Sequence, residues 1–261
     1  MVAVFCCSRL GDCFFVHDRA VDGGDTGNDT LDEGDDATRL NTRDPADKIR
    51  ASYDIVAERY ASELADEMVT RPFERGMLLA FSELIHTVGR GVVGDVGCGP
   101  GHIAKHLASL GVATMGVDIS VAMIQQAKAK FPEGDFRVGT MFKLPVESGS
   151  WVGAVARYNT LHCNRDEREQ TFREIARCVQ VGGYLTHSFY ESAPDQPVGS
   201  VYHLNTWFGF NVDLMTYFVS IEDAAMELDH AGFEIVAALV REPIFANELR
   251  ARRCTMVGKR R

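Results

Sequence analysis

Residues 93–101 read Val-Gly-Asp-Val-Gly-Cys-Gly-Pro-Gly, and Asp118 follows Gly97 by twenty-one positions. No other stretch restricts the fold as strongly. Glycines at 97, 99 and 101 let a chain leave a buried strand and turn at once into a helix, through conformations that a side chain would oppose. They also let a ligand approach bare backbone N–H groups at the N-terminus of that helix. Asp118 stands at the tip of the next apolar run, where a carboxylate can take both hydroxyls of a ribose in charge-assisted hydrogen bonds. A glycine-rich loop alone is a weak signal. The same loop between strand and helix, with an acid at the neighbouring strand tip, is a strong one.

The surrounding periodicity supplies that context. Apolar runs at 92–96, 112–117, 136–139, 151–158, 184–189, 233–239 and 254–259 read as strands. Helical patterns fall between them, at 101–110, from a Ser120 cap to about Lys130, at 166–179, and from a Ser220 cap to Ala231. Val181-Gly182-Gly183 reads as a turn and 190–197 as a polar loop. Alternation at this pace predicts an α/β fold: a Rossmann-like, mostly parallel seven-stranded sheet with helices on both faces and an antiparallel C-terminal edge. Two helices precede it. Ile49, Tyr53, Val56, Ala57, Tyr60 and Leu64 mark one face of the first, with Asp44 or Asp47 as its cap. The second runs from Pro72 to about His86.

One domain is expected at 46–261, with lid helices at 46–90, a cofactor-binding core at 91–190 and a substrate-side insert at 191–220 rich in aromatics. Ten acids and three arginines lie between residues 18 and 47, so this stretch carries −7 of the net charge of −10. Its composition predicts that residues 1–45 are an acidic, disordered segment. Met1–Val16 is apolar but broken by Arg9 and Asp12, unlike a signal peptide.

The acidic balance argues against nucleic acid as partner, and no apolar run approaches the ~20 residues that span a bilayer. The seven cysteines form no CxxC pair, which excludes a zinc ribbon and suits reduced thiols in a cytoplasmic protein. His102 and His106 lack a third ligand and read as surface residues, so no metal is expected. Cys98 reads as a packing residue.

The spacing GxGxG differs from the GxGxxG that seats a dinucleotide's pyrophosphate. Asp95, two residues before the first glycine, would repel that group and suits a ligand with a cationic end. S-adenosylmethionine has an ammonium, a carboxylate and an adenosine, so the residues favour it over a dinucleotide.

Val93–Gly101 with Asp118 resembles the signature of class I S-adenosylmethionine-dependent methyltransferases, and the likeness extends from Tyr53 to about Phe189. Ser52–Tyr60 (S-Y-D-I-V-A-E-R-Y) resembles the lid helix of small-molecule members. Tyr158–His162 (Y-N-T-L-H) is similar to the segment after their fourth strand, and Arg177–Leu185 to the entry of their fifth. The resemblance implies cofactor contacts from Tyr53, Tyr60, Asp95, Gly97, Cys98, Gly99, Asp118, Ile119, Thr140, Met141 and Tyr158. Many members carry an aspartate after the third strand; here Gly139-Thr140-Met141 stands in its place, and the Thr140 hydroxyl or Met141 backbone could serve. On the acceptor side the expectation is Asn159, His162, Tyr190, Tyr202, Trp207 and Phe208, with His162 as general base for a hydroxyl or amine. The implied activity is methyl transfer to a small apolar or aromatic metabolite in secondary metabolism, with homo-oligomerisation left open. An NAD-linked oxidoreductase and a non-catalytic binding module are the alternatives.

Overall fold

The computed structural model describes residues 44–64, 67–245 and 248–261. The acidic segment expected at 1–45 lies almost entirely outside them. The chain opens with α1 (Pro45–Glu63), α2 (Glu67–Thr70) and α3 (Pro72–Val88). The core then alternates β1 (Val92–Val96), α4 (His102–Ser109), β2 (Ala113–Asp118), α5 (Val121–Lys130), β3 (Asp135–Val138) and β4 (Trp151–Arg157). A single 3-10 turn (Thr160–His162) leads to α6 (Arg165–Cys178) and β5 (Val179–Ser192). The hairpin β6 (Val201–Trp207) and β7 (Phe210–Tyr217), then α7 (Ile221–His230), β8 (Phe233–Arg241) and β9 (Arg252–Arg260), complete it.

Local chemistry sets the boundaries. Asp44 caps α1 by accepting from Ala46 N, and Ser120 caps α5 by accepting from Met123 N. Asn164 and Glu167 form a reciprocal capping box at the start of α6.

The seven-stranded sheet has the order β3-β2-β1-β4-β5-β9-β8. The order reverses between β1 and β4, both parallel to their neighbours, and ligands in open α/β sheets bind outside the strand ends at such a switch point. The antiparallel strand, β9, lies one place in from the edge; β8 pairs only with it and so runs with the parallel set. The turn expected at 181–183 is instead an irregularity inside β5, where pairing with β4 jumps from Trp151↔Val179 to Gly153↔Tyr184. Gly182 takes φ +82° there, a value open to glycine at little cost. The loop expected from Tyr190 begins later, because β5 continues to Ser192.

Both sheet faces are covered. Trp151, Phe172, Ile175, Leu185 and Phe189 pack on the α6–α7 side, and Leu78, Phe81, Ile85, Ile103 and Leu107 on the α3–α4 side. The ion pair Arg168–Glu227 joins α6 to α7 through two hydrogen bonds of 2.9 and 2.6 Å. A third cluster joins Val56 and Ala57 of α1 to Met123 of α5 and to Leu204, Trp207 and Leu214 of the hairpin. That cluster fixes α1 across the carboxyl end of the sheet.

Candidate active site

A cleft opens where β1 and β4 end, under α1. All eleven residues expected to hold a cofactor line it: Tyr53, Tyr60, Asp95, Gly97, Cys98, Gly99, Asp118, Ile119, Thr140, Met141 and Tyr158. Asn159 and His162 line it too.

The glycine loop is built differently from the expectation of bare amides. Gly97 and Cys98 N–H donate to Val117 O at 2.8 and 3.1 Å, and Gly101 N–H donates to Cys98 O at 3.0 Å. Gly99 N–H donates to Asp118 Oδ2 at 2.8 Å, while Ser120 N–H donates to Oδ1 at 2.9 Å. A loop whose amides are already paired offers no nest for a pyrophosphate. It does hold Asp118 rigidly, with a second lone pair on each oxygen left for a ribose. Burial raises the Asp118 pKa, and the Ser120 and Gly99 amides oppose that rise. Gly97 takes φ +68°, and a Cβ on it would meet Asn159 Cβ at 2.5 Å.

Asp95 is 2% exposed and its Oδ2 has no hydrogen-bond partner among the described residues. Burial raises its pKa to about 6, although His102, Arg157 and the Ala104 amide pull the other way. Tyr158 OH, both amide atoms of Asn159 and Arg157 Nη2 are likewise buried without partners among the described residues. Unpaired polar groups of both signs around one cleft fit a ligand that carries an ammonium, a carboxylate and hydroxyls. S-adenosylmethionine meets that requirement; Asp118 would hold its ribose and Asp95 its ammonium.

His162 faces the same cleft. Its Nδ1 lies 2.7 Å from Met215 O, so Nδ1 carries the hydrogen and donates. Nε2 is then an acceptor, and the Tyr53 hydroxyl donates to it at 2.8 Å. Burial lowers the imidazole pKa, and burial raises that of the phenol.

Four residues expected at the acceptor side stand elsewhere. Tyr190 stacks behind Tyr158, with ring centroids 4.8 Å apart. Trp207 packs edge-on against Tyr53 and Tyr60 at 5.7 and 5.2 Å, and Phe208 stacks on Trp207 at 5.1 Å. Tyr202 joins the same cluster. The hairpin aromatics therefore back the lid helix, because α1 lies between them and the cleft.

Other lining residues escaped the sequence reading. His102, read as a surface residue, lines the cleft and bonds Glu67 at 2.8 Å. Arg157 is the single charged residue ending the otherwise uncharged run Trp151–Arg157, a signal that was legible. Asp54 accepts from Ser120 Oγ at 2.6 Å and Ala122 N at 3.1 Å, which docks α1 on the start of α5.

Residues 93–183 match a family model described as "Methyltransferase domain". The chain is 27% identical over 141 residues to a probable S-adenosylmethionine-dependent methyltransferase of Mycolicibacterium smegmatis, covering 54% of this chain and 52% of that protein. It is 23% identical over 156 residues to a demethylmenaquinone methyltransferase of Renibacterium salmoninarum, covering 60% of this chain and 64% of that one. The chain thus spans between half and two thirds of these relatives. Among solved structures, magnesium protoporphyrin IX methyltransferase from Synechocystis with bound cofactor superposes with a TM-score of 0.62 at 17% identity, over 85% of this chain and all of that one. No helix among the described residues is long and apolar enough to cross a membrane. Sheet order, glycine loop, paired acid and these likenesses agree: the chain carries a class I S-adenosylmethionine-dependent methyltransferase domain, and S-adenosylmethionine is the cofactor of that domain.

Proposed function

We propose that this protein transfers a methyl group to a small acceptor with an apolar or aromatic body, of the kind met in secondary metabolism in the cytoplasm. The observation that carries the reading is one cleft shared by Asp118, Asp95 and the Tyr53–His162 pair. When bound, the cofactor supplies an electrophilic methyl on a sulfonium. Asp118 binds the ribose, Asp95 the ammonium, and Tyr53 and Tyr60 cover the methionine end and exclude water. Alignment in a water-poor pocket then supplies much of the acceleration. His162, neutral because burial lowers its pKa, receives at Nε2 the hydrogen that the Tyr53 hydroxyl donates, while that hydroxyl oxygen takes the proton lost by a hydroxyl or amine acceptor.

The apolar acceptor rests on the wall formed by Ala46, Ile49, Met141, Phe142 and Cys163. Two similar proteins, a demethylmenaquinone methyltransferase and a magnesium protoporphyrin IX methyltransferase, support the same reading. The domain assigned here spans 46–261, with lid helices to residue 90. Incubating the protein with isotopically methyl-labelled cofactor and a small-molecule extract, then searching by mass spectrometry for labelled products, tests the reading. A labelled apolar product supports it. Tight S-adenosylhomocysteine binding without any labelled product would favour a non-catalytic binding module.

A further inference from the structure

Ser120 is fully buried and stands between two carboxylates. Its N–H donates to Asp118 Oδ1 at 2.9 Å, and its hydroxyl donates to Asp54 Oδ1 at 2.6 Å. Ser120 Oγ in turn accepts from Met123 N–H at 3.0 Å, and Asp54 Oδ1 also accepts from Ala122 N–H at 3.1 Å. Asp118 ends β2, whereas Asp54 belongs to α1. A chain of hydrogen bonds therefore runs from the strand tip, through one serine, to the lid helix.

α1 carries the residues that close the cleft. Tyr53 and Tyr60 line it, and Ala46 and Ile49 form part of the acceptor wall. α1 is also held by Lys130 Nζ, which donates to Ala61 O, and by Asp213 N–H, which donates to Ser52 Oγ at 3.0 Å. None of those four residues lines the cleft. The bonds at Asp54 instead lead to Asp118, a group that a ligand would touch.

If α1 lifts, the Ser120 hydroxyl and the Ala122 N–H lose their acceptor. The two acids also act on each other, because the Asp54 charge works against that of Asp118. Ribose hydroxyls donating to Asp118 offset its charge, so Asp54 docks at lower cost when a ribose is bound. By linkage, a docked Asp54 makes Asp118 the stronger acceptor.

Resting on the cofactor assignment above, we propose that Asp54 is a positioning residue that latches the lid helix to the ribose acid through Ser120, so that lid docking and ribose binding strengthen each other.

Hydrogen exchange of the α1 amides and stopped-flow dissociation of S-adenosylhomocysteine test this. The second ligand is adenosine, which has the ribose and no methionine part. In the native protein both ligands at saturation should slow α1 exchange. Asp54→Ala should abolish the slowing by adenosine and speed S-adenosylhomocysteine dissociation roughly tenfold. Asp54→Asn keeps an acceptor for Ser120 and Ala122 and should restore part of both effects. A lower melting temperature of Asp54→Ala with unchanged dissociation would make Asp54 an ordinary cap of α5 and overturn the proposal. Native α1 exchange that S-adenosylhomocysteine slows but saturating adenosine does not would also overturn it, since the methionine end alone would then hold the lid. That comparison decides even if Asp54→Ala does not fold. Absence of S-adenosylhomocysteine binding to the native protein would instead overturn the cofactor assignment itself.

Discussion

The Tyr53 hydroxyl donates to His162 Nε2 at 2.8 Å, joining the lid helix to the turn after β4. The opposite ring nitrogen is fixed by Met215 O of the hairpin. One imidazole therefore connects three elements distant in sequence, and its tautomer is set by the chain itself. This bond also stabilises the neutral ring, because the phenol donates to the lone pair that protonation would use.

Tyr53→Phe should accordingly raise the His162 pKa, and His162→Ala should lower kcat by roughly 10²–10⁴-fold with a hydroxyl or amine acceptor. Nitrogen-15 NMR of the imidazole reads the first effect and the tautomer directly. A ring protonated at Nε2 in the native protein, or a pKa unmoved by Tyr53→Phe, would remove Tyr53 from this role.

Asp95 gives a pH dependence. Its pKa is raised to about 6, so the folded protein holds this proton more tightly than the unfolded chain does. The contribution to stability is therefore present in acid and lost as pH rises through about 6. An ammonium bound beside Asp95 reverses the preference and expels the proton. S-adenosylhomocysteine binding measured just below that pH, in buffers of different ionisation enthalpy, should release protons, and affinity should fall as the solution is acidified. Asp95→Asn should abolish the release and stabilise the free protein at neutral pH. Proton uptake on binding would contradict this placement.

Trp207→Ala should damage the lid. Trp207 is 8% exposed and packs against both Tyr53 and Tyr60, so its loss leaves a cavity behind α1 and costs up to about 3–5 kcal/mol. Thermal denaturation should show the loss, and cofactor affinity should fall with it. A change confined to the acceptor's KM would return Trp207 to the acceptor wall.

Much of this was legible in the chain. Glycine spacing, the acid that ends β2 and the strand–helix alternation located the cleft, because those features are local. The acceptor side was harder to read. Aromatic density at 202–218 is the same whether rings face a ligand or the back of a helix, and only the packing of α1 between hairpin and cleft decides. Amide satisfaction within 97–101 was equally hidden, since Val117 O and Asp118 reach the loop through the parallel pairing of β1 with β2. The antiparallel position of β9 depends on which side of β8 the chain returns to, and no periodicity encodes that.

The most direct test of the account is S-adenosylhomocysteine binding to the native protein and to Asp118→Ala, compared by calorimetry with the fold checked by circular dichroism. Two charge-assisted hydrogen bonds to the ribose, each worth about 1.5–3 kcal/mol, predict at least a tenfold loss of affinity in the variant. Equal affinity in a folded Asp118→Ala protein would contradict the placement of the ribose on Asp118 and the assignment of the cleft that follows from it.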